Sequence, residues 1–469
     1  MSRFAVSPNA TGVSQFDDRI HLVGLRLISA TCGAALAVLL VWSVGRFISG
    51  PFRYLGYTPR AWHWDELVVA AICAVLLFFI AGDRAETPGR AGIAFLVVFV
   101  GLPVLLLPVF YGTIDRRTLA ILSLVVVVSF GIIRIFHCLA PMVSLPRIPD
   151  VFPPALLLGL LSVASLALVI GLTGISIDWV SLTNAYEQRD EYSAASSSVV
   201  AYALGWTGGG ALAALAAYGY HLRSWFYMAI GFGGLVAIYM LTGYKSYLLG
   251  AALVLVLALI FGRSREVRVW RVYLIFGGAI SAAGVMDWVT GSNFFTSLGV
   301  RRAFSTAGIN TGYFIDFFEK HPKYGLRHSV LSFMGEPPFS TSPAKLIGSV
   351  YYSQEGVAAN ANFLADGMAN FGFGGMLGAS AVVGIWLGFV DLVAAELPAG
   401  IVFAAIAVVL VAFSNTASLT VLATHGGAAS LIALWIVGED WRRRSVAMQS
   451  AEEVSGSSKL AQAGDAQTL

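Results

Sequence analysis

Positively charged residues beside long apolar segments are the first candidates for chemistry in this sequence. Arg301 and Arg302 directly follow an apolar segment, and Lys245 lies in a GYKS turn between two others. A guanidinium binds phosphate oxygens through two parallel hydrogen bonds, and an ammonium adds a point charge. These residues could therefore stabilise a departing diphosphate. Contacts with lipid headgroups, or salt bridges to nearby carboxylates, are the alternative explanation for each cation.

Titratable groups of the polar segment 291–367 are candidates for a general base. His321 and His328 could accept a proton from an attacking hydroxyl, although each also has a structural explanation. The further candidates in this segment are Asp316, Glu336, Glu355 and Asp366. Arg189 and Glu187, in the AYEQRDEY segment, form a third group, which could equally be part of a solvated acidic loop. Arg327, beside His328, is another cation that could bind an anionic substrate.

Amide and carboxyl side chains recur in the sequence AANANFLADGMANFGFGG, residues 358–375. Asn360, Asn362, Asn370 and Asp366 offer several hydrogen-bond positions each, which suits recognition of sugar hydroxyls. Helix capping by Asn or Asp is the alternative explanation. We predict that capping accounts for one or two of these residues and that the others bind substrate.

No pattern in the sequence predicts metal or nucleotide chemistry. The three cysteines, Cys32, Cys73 and Cys138, lie in or beside apolar segments and lack the spacing of metal ligands. The sequence has no P-loop, GxGxxG, HExxH or GxSxG motif. We therefore expect no metal, no cofactor and no nucleic-acid partner, and an ATP-driven pump is disfavoured.

The composition indicates which elements must position these residues. Of the 469 residues, 57% are hydrophobic and 12% are charged, against about 25% charged in soluble domains. The mean hydropathy is +0.78. Backbone polar groups in lipid must be paired internally, so apolar runs of about 15–25 residues predict helices. We predict an all-α polytopic bundle of about 12 spans, near 27–45, 67–81, 93–111, 118–136, 153–176, 197–220, 224–242, 246–262, 272–290, 368–392, 399–413 and 417–437.

Lysine and arginine in short loops predict the orientation of these spans. The basic segment RSREVRVWR at 263–271 and the run of three arginines at 442–444 place both termini in the cytoplasm. The loop 46–66 fits this rule poorly, because it has three arginines on the opposite side. The predicted organisation is a cytoplasmic tail at 1–20, nine spans within 21–290, a large extracytoplasmic loop at 291–367 with the candidate active site, three spans within 368–440, and a cytoplasmic tail at 441–469.

Two of these polar regions carry further structural expectations. Within 291–367, Tyr313, Phe314, Phe317 and Phe318 recur at helical spacing, which predicts a short helix at the membrane interface or packed on the bundle. The chain after Arg444 is rich in Ser, Ala, Gln and Glu, and we expect it, like residues 1–20, to be a solvated and disordered tail.

Three motifs together resemble the bacterial oligosaccharide repeat-unit polymerases, the O-antigen polymerase or Wzy-type family, which is related to the O-antigen ligases. They are GYKS, RRAFSTAGINTGYFIDFFEKHP and IGSVYYSQEGVAANANFLADGMANFGFGG, and the resemblance covers roughly residues 180–395. It implies a multi-pass protein of the bacterial cytoplasmic (inner) membrane. Such a protein acts on oligosaccharides linked to polyprenyl pyrophosphate, among membrane lipids, with a chain-length regulator and a flippase as candidate partners.

The resemblance also implies roles for particular residues. Arginines of the family's external loops are proposed to hold the pyrophosphate, a role that position assigns to Arg301 and Arg302, with Lys245 and Arg189 as weaker matches. The related ligases use a loop histidine near the acceptor, which makes His321 or His328 the counterpart here. The function implied is metal-independent polymerisation of lipid-linked repeat units into surface polysaccharide, such as O-antigen, capsule or exopolysaccharide.

Two other functions are compatible with the sequence. A secondary transporter, including a flippase for lipid-linked glycans, often has twelve spans, and AGDRAETPGR weakly resembles a loop of the major facilitator family. The long segment 291–367 and the scarcity of intramembrane charges argue against it. The other alternative is an O-antigen ligase of the same fold, which would attach a finished glycan to an acceptor.

Overall fold

The computed structural model describes residues 10–139, 143, 145–149, 152–182, 184–354 and 356–465. This part of the chain is mainly helical and has almost no strand, which confirms the predicted all-α class. The α-helices are α1 Ala10–Ser43, α2 Trp64–Ala81, α3 Pro88–Leu96, α4 Leu102–Phe110, α5 Arg116–Cys138, α6 Pro154–Thr173, α7 Ala185–Ala195, α8 Ser198–Gly205, α9 Ala213–Leu222, α10 Trp225–Thr242, α11 Lys245–Phe261, α12 Val269–Thr290, α13 Phe294–Thr296, α14 Thr306–Lys320, α15 Pro343–Tyr351, α16 Phe363–Val393, α17 Ala399–Ala405, α18 Ala407–Phe413, α19 Ser418–Thr424 and α20 Gly427–Asp465.

Shorter elements join or interrupt these helices. Two-residue strands pair antiparallel, β1 Arg84–Ala85 with β2 Val267–Arg268. Single turns of 3₁₀-helix lie at Arg53–Leu55 and Ser332–Met334. The π-helical segments are Val44–Ile48, Val97–Gly101, Trp206–Leu212 and Ser297–Ser305.

Nine helices of the described chain are long and apolar enough to cross a membrane, and a bent pair would make a tenth. Every predicted span has a helical counterpart, but the last ones are irregular. The predicted eleventh span consists of two seven-residue helices, α17 and α18, and the twelfth is bent by 51° between α19 and α20. The predicted eighth span, α11, has 17 residues. Because α17 is buried on all sides by protein, its short length exposes no backbone to lipid.

Contacts between loops define two ends of the bundle. At one end β1 pairs with β2, Gly400 N donates to Ser264 O, and the Arg443 guanidinium donates to Phe152 O. We call the other end the cavity end; there Arg60 N donates to Phe110 O and Ser353 N donates to Tyr54 O. The loops predicted to share a side of the membrane are thus grouped together, and which end faces the cytosol stays a prediction.

The first third of the segment 291–367 is a buried helix and not a free loop. Helices α13 and α14 and the π-helix between them form one continuous helix, Phe294–Lys320, which we call the cavity helix. Its Phe304 ring lies 4.5 Å from that of Phe99, and its Gly308 and Gly312 pack against Pro103 and Pro108. The aromatic residues that predicted a helix, from Tyr313 to Phe318, are buried in the bundle, as the second of the two alternatives expected.

Helix α16 is broken near its start. Phe371 and Gly372 have non-helical backbone angles, with φ +65° at Gly372, so Phe363–Asn370 is a separate short helix that precedes the span. The break frees backbone carbonyls that a following turn would otherwise pair. Ala369 O accepts from Tyr324 N at 2.9 Å, and Asn370 O accepts from Gly325 N at 3.1 Å. The predicted span 368–392 therefore begins after this break.

The two predicted tails differ from the expectation where the structure describes them. Helix α20 continues to Asp465, well beyond the arginines at 442–444, and helix α1 begins at Ala10, inside the predicted tail 1–20. Alanine, glutamine and glutamate have high helix propensity, so a polar sequence can extend a helix that the membrane span has already nucleated. Residues 1–9 and 466–469 lie outside the described residues.

We expect Gly308→Ala to destabilise the protein by about 1–3 kcal/mol, because its Cβ would lie 2.2 Å from Pro103 O. Gly299, in the same cavity helix, is the matched control, because a Cβ there meets nothing within 4 Å. Thermal unfolding of the purified variants in detergent measures the effect. Equal midpoints for the two variants would show that the cavity helix does not pack on α4 as described.

Candidate functional site

A cavity of about 420 Å³ lies at the cavity end, between the cavity helix and three loops. Its described lining combines basic, aromatic and apolar side chains. They are Pro51, Phe52, Leu182, Tyr186, Lys245, Asn293, Phe294, Ser297, Leu298, Arg301 and Arg302. The three cations that the sequence singled out first thus share one cavity, although Lys245 and Arg301 are 56 positions apart.

The lining residues of the cavity helix recur at helical spacing. Pairs of adjacent residues line the cavity at intervals of four, beginning with Asn293 and Phe294 and ending with Arg301 and Arg302. Residues four apart lie on the same face of a helix, so these pairs form one stripe along it. The last two pairs lie in the π-helical segment Ser297–Ser305, where the hydrogen bonds are i→i+5. Asp287 fixes the start of the helix by accepting from Phe295 N and Thr296 N, at 2.9 and 2.8 Å.

Arg301 is the most enclosed of the three cations. Its Nε donates to Ser297 Oγ at 3.1 Å, and its Cζ lies 4.4 Å from the centre of the Phe52 ring. Burial lowers the pKa of Arg301, because desolvation penalises its charge. An arginine nevertheless keeps its proton in proteins. The site therefore contains a permanent positive charge. Ser297 and Phe52 fix the orientation of the Arg301 guanidinium, and so the direction of its remaining N–H groups.

Tyr186 joins the other two cations. The Arg302 guanidinium donates to its hydroxyl and lies 5.9 Å from the ring centre, and Lys245 Nζ lies 4.7 Å from the same centre. The negative face of an aromatic ring attracts cations. One neutral side chain thus positions two positive charges without neutralising them.

The cavity has an uncompensated positive charge. None of its described lining residues is acidic, and none of the three cations lies within 4.0 Å of a carboxylate in the described part of the chain. Like charges repel strongly where protein lowers the dielectric constant. An anion that entered between Lys245, Arg301 and Arg302 would relieve this repulsion and satisfy several N–H donors. The arrangement is therefore suited to binding a phosphate or diphosphate group.

The loop 49–57, which supplies Phe52, is held by hydrogen bonds to the cavity helix. Tyr57 Oη lies 2.8 Å from Ser305 Oγ, and Tyr313 donates to Gly56 O. Further along, Tyr352 donates to Asn310 Oδ1 at 2.7 Å. The contacts of Tyr57 and Tyr313 tie the loop that carries Phe52 to the helix that carries the arginines.

The structure does not bring either predicted histidine to the cavity. His321 stacks on Phe317, with ring centres 4.0 Å apart, and its Nδ1 donates to Phe317 O at 2.7 Å. The His328 ring packs edge-on against Tyr324, and burial lowers its pKa. Its Nδ1 has no partner among the described residues. Both histidines belong to an aromatic cluster around Phe339, and the role of general base stays a prediction for them. Glu355 lies outside the described residues.

The two weaker arginine candidates also lie outside the cavity lining. The Arg189 guanidinium lies 5.1 Å from the centre of the Tyr244 ring. Arg327 donates from Nε to Tyr324 O at 3.1 Å. Arg189 is on α7, the helix that contains Tyr186. The segment that was predicted to lie near the site therefore reaches the cavity through Tyr186 and not through Arg189.

The amide cluster is mainly structural. Asn362 is fully buried and caps α16, since its Oδ1 accepts from Leu364 N and Ala365 N at 2.9 and 3.0 Å. Its Nδ2 donates to Ala307 O and Thr311 Oγ1. Capping therefore explains Asn362, whose amide is already occupied and inaccessible, and the sugar contact stays a prediction for it.

The neighbours of Asn362 are less completely explained. Asp366 Oδ1 accepts from Asn370 Nδ2 at 3.1 Å, and Asn370 Oδ1 accepts from Leu326 N. Asn360 is exposed, and its backbone oxygen accepts a hydrogen bond from Asn310 Nδ2. Neither Asp366 nor Asn360 lines the cavity, and their roles in substrate binding stay predictions.

Sequence reasoning missed Tyr186, Phe52 and Ser297 as site residues. Tyr186 lies within AYEQRDEY, where the charged residues drew attention, and Phe52 lies in a loop that was notable only for its arginines. Ser297 lies four positions before Arg301, a helical spacing that could have identified it, whereas no spacing links Tyr186 or Phe52 to Arg301. Only the packing of loops from three separate regions creates the contact.

Neither metal coordination nor similarity to known proteins adds to this description. The described residues contain no cluster of three or more His, Cys, Asp or Glu side chains that could hold a metal ion. The chain matches no protein-family profile, no curated protein and no solved structure at a significant level.

We expect Asn362→Ala to lower the free energy of unfolding by about 2–4 kcal/mol, through loss of a cap and unpaired buried groups. Asn360→Ala is the matched control, and we expect its stability to stay within about 0.5 kcal/mol of the parent protein. Thermal unfolding in detergent compares the two. A stable Asn362→Ala variant that binds glycan more weakly would restore a role in sugar recognition.

Proposed function

We propose that this protein is a multi-pass glycosyltransferase of the bacterial cytoplasmic membrane that polymerises oligosaccharide repeat units linked to polyprenyl diphosphate. The single observation that carries the proposal is the cavity that combines Lys245, Arg301 and Arg302 without a described carboxylate. The motifs that resemble the Wzy-type polymerases point to the same substrate. The site of action in this proposal is the extracytoplasmic face.

The charge of the cavity is suited to a diphosphate. A lipid-linked diphosphate carries two negative charges, and the charge increases as the glycosidic bond to the sugar breaks. Three preorganised cations in a partly desolvated cavity stabilise that developing charge more than they stabilise the bound substrate. Arg301 and Arg302 supply the guanidinium forks, and Lys245 supplies a point charge from the opposite wall.

The reaction needs no redox step. A hydroxyl of the acceptor glycan attacks the anomeric carbon of the donor, a new C–O bond forms, and the bond from that carbon to the diphosphate oxygen breaks. The electron pair of the broken bond stays on polyprenyl diphosphate. The hydroxyl proton is released to water or to the departing diphosphate, because no described lining residue is a histidine or a carboxylate.

The apolar part of the lining offers a place for the lipid. Leu182, Phe294 and Leu298 line the cavity together with the cations, and Phe294 is 39% exposed. A polyprenyl chain could leave the cavity over these side chains and enter the surrounding bilayer, while the glycan extends into water. This geometry keeps the diphosphate at the membrane boundary, where the cations lie.

A flippase or secondary transporter is the second candidate, and the broken helices favour it. The bend between α19 and α20 packs against the glycine-rich π-helix Trp206–Leu212, where Trp206 Nε1 donates to Ala423 O. Discontinuous helices are common at transporter binding sites. An O-antigen ligase of the same fold would share the diphosphate site with a polymerase, and only the product separates the two.

We expect Arg302→Ala to abolish chain lengthening while normal amounts of protein stay in the membrane. The loss of one charge-assisted contact to the leaving group should lower the rate at least a hundredfold. Gel analysis of surface polysaccharide measures the chain length, and Arg53→Ala, at an exposed arginine of the same end, is the control.

The location of the unreacted material distinguishes the alternatives. A failed polymerase leaves single repeat units on the cell surface, a failed ligase leaves none, and a failed flippase retains lipid-linked units on the cytosolic face. Normal polymer in Arg302→Ala cells would remove the diphosphate role of this cavity.

The proposal also requires the cavity end to face away from the cytosol. In a Cys138→Ser background, we expect a membrane-impermeant maleimide to label Ser340→Cys, an exposed residue of the cavity end, in intact spheroplasts. The native Cys138, exposed at the end of α5 on the other side of the bundle, should react only after lysis. The reverse labelling pattern would contradict an extracytoplasmic site.

A further inference from the structure

A second cavity, of about 390 Å³, lies at the same end of the bundle but on the membrane-facing groove between α2 and α5. Its described lining changes from charged to apolar along the helices. Asp65 and Arg116 stand at the mouth beside Arg117, and Val69, Leu119 and Ala120 lie one turn deeper. The change from charged to apolar side chains matches the change from charged headgroups to apolar acyl chains across a bilayer leaflet.

The length of the helices places the mouth at the level of the headgroups. Helix α2 has 18 residues, which span about 27 Å at 1.5 Å per residue, close to the thickness of a hydrocarbon core. Asp65 lies in its first turn, and Arg116 and Arg117 begin α5. The side chains of Val69 and Ala120 are exposed where the helix surface meets the acyl chains.

Most of the charge at the mouth is already paired. Arg116 binds Asp65 with its Nε 3.0 Å from Oδ2, and Arg60 binds the buried Glu66 at 2.8 Å. The exposed guanidinium of Arg117 has no hydrogen bond or ion pair with any residue that the structure describes. Asp115 caps the start of α5 by accepting from Arg117 N and Thr118 N, and it does not line the groove. Among the described lining residues, Arg117 is therefore the cation whose side chain is left without a partner above the apolar groove.

We propose that this groove is a binding site for a membrane glycerophospholipid, whose phosphate pairs with Arg117 and whose acyl chain lies along Val69 and Ala120. A glycerophosphate diester carries one negative charge, which matches the single uncompensated arginine. The three unpaired cations of the other cavity match a diphosphate instead. The phospholipid would occupy the gap between the ends of two spans and hold them at a defined separation. This inference does not depend on the proposed function.

The experiment is native mass spectrometry of the full-length protein released from micelles doped with phosphatidylglycerol. We expect Arg117→Gln to weaken lipid binding about tenfold, as for the loss of one charge-assisted hydrogen bond. Ala120→Trp, which fills the exposed groove, should also displace the lipid. Arg53→Gln, at another exposed arginine of this end, should bind as the parent protein does.

Two results would overturn the inference. The first is equal retention of phosphatidylglycerol by the parent protein and Arg117→Gln, which would mean that the groove makes no use of its free charge. The second is a change in the binding of farnesyl diphosphate alone, which would assign the groove to a lipid-linked substrate. Arg117 is exposed, so its substitution tests the proposal even if Ala120→Trp fails to fold.

Discussion

The organisation of the cavity end depends on keeping three positive charges close together at a membrane boundary, where none of the described lining residues is acidic. Charges of one sign repel, and partial burial beside apolar helices makes both repulsion and desolvation more costly. The protein offsets this cost with neutral partners. The Phe52 ring faces Arg301, and the Tyr186 ring and hydroxyl engage Lys245 and Arg302. Such contacts hold the cations in place and leave their charge available to an anion, whereas a carboxylate would have neutralised that charge.

The cavity helix makes this arrangement possible because it belongs to the core of the bundle. Its C-terminal part packs through glycines against α4, and its Ser305 and Tyr313 bind the loop that carries Phe52. Its π-helical part projects the arginines toward Tyr186. A free loop would lose conformational entropy on ordering around each ligand, and a packed helix has already lost it during folding. The site is thus preorganised by the same contacts that stabilise the fold.

Sequence reasoning singled out the three cations that share the cavity, and it was less informative for the polar residues around them. Lys245, Arg301 and Arg302 were identifiable because positive charge is conspicuous beside apolar segments, whatever the fold. The amide cluster was ambiguous because Asn caps helices and binds sugars with the same atoms, and the structure decides for capping at Asn362. The histidines were plausible by residue type alone, and packing places them on Phe317 and Tyr324 instead of in the cavity.

By itself, the sequence determined that the chain forms a helical membrane bundle, because apolar runs of this length must pair their backbone groups internally in lipid. It also determined the positions of the regular spans and the alternation of their ends. The tertiary structure alone decided that part of the segment 291–367 is a buried helix, that α16 is broken at Gly372, and that Tyr186 and Phe52 join the arginines. Hydropathy reports the preference of each segment for lipid or water. Contacts between distant segments depend on shape and on which polar groups are left unpaired, and no local pattern records them.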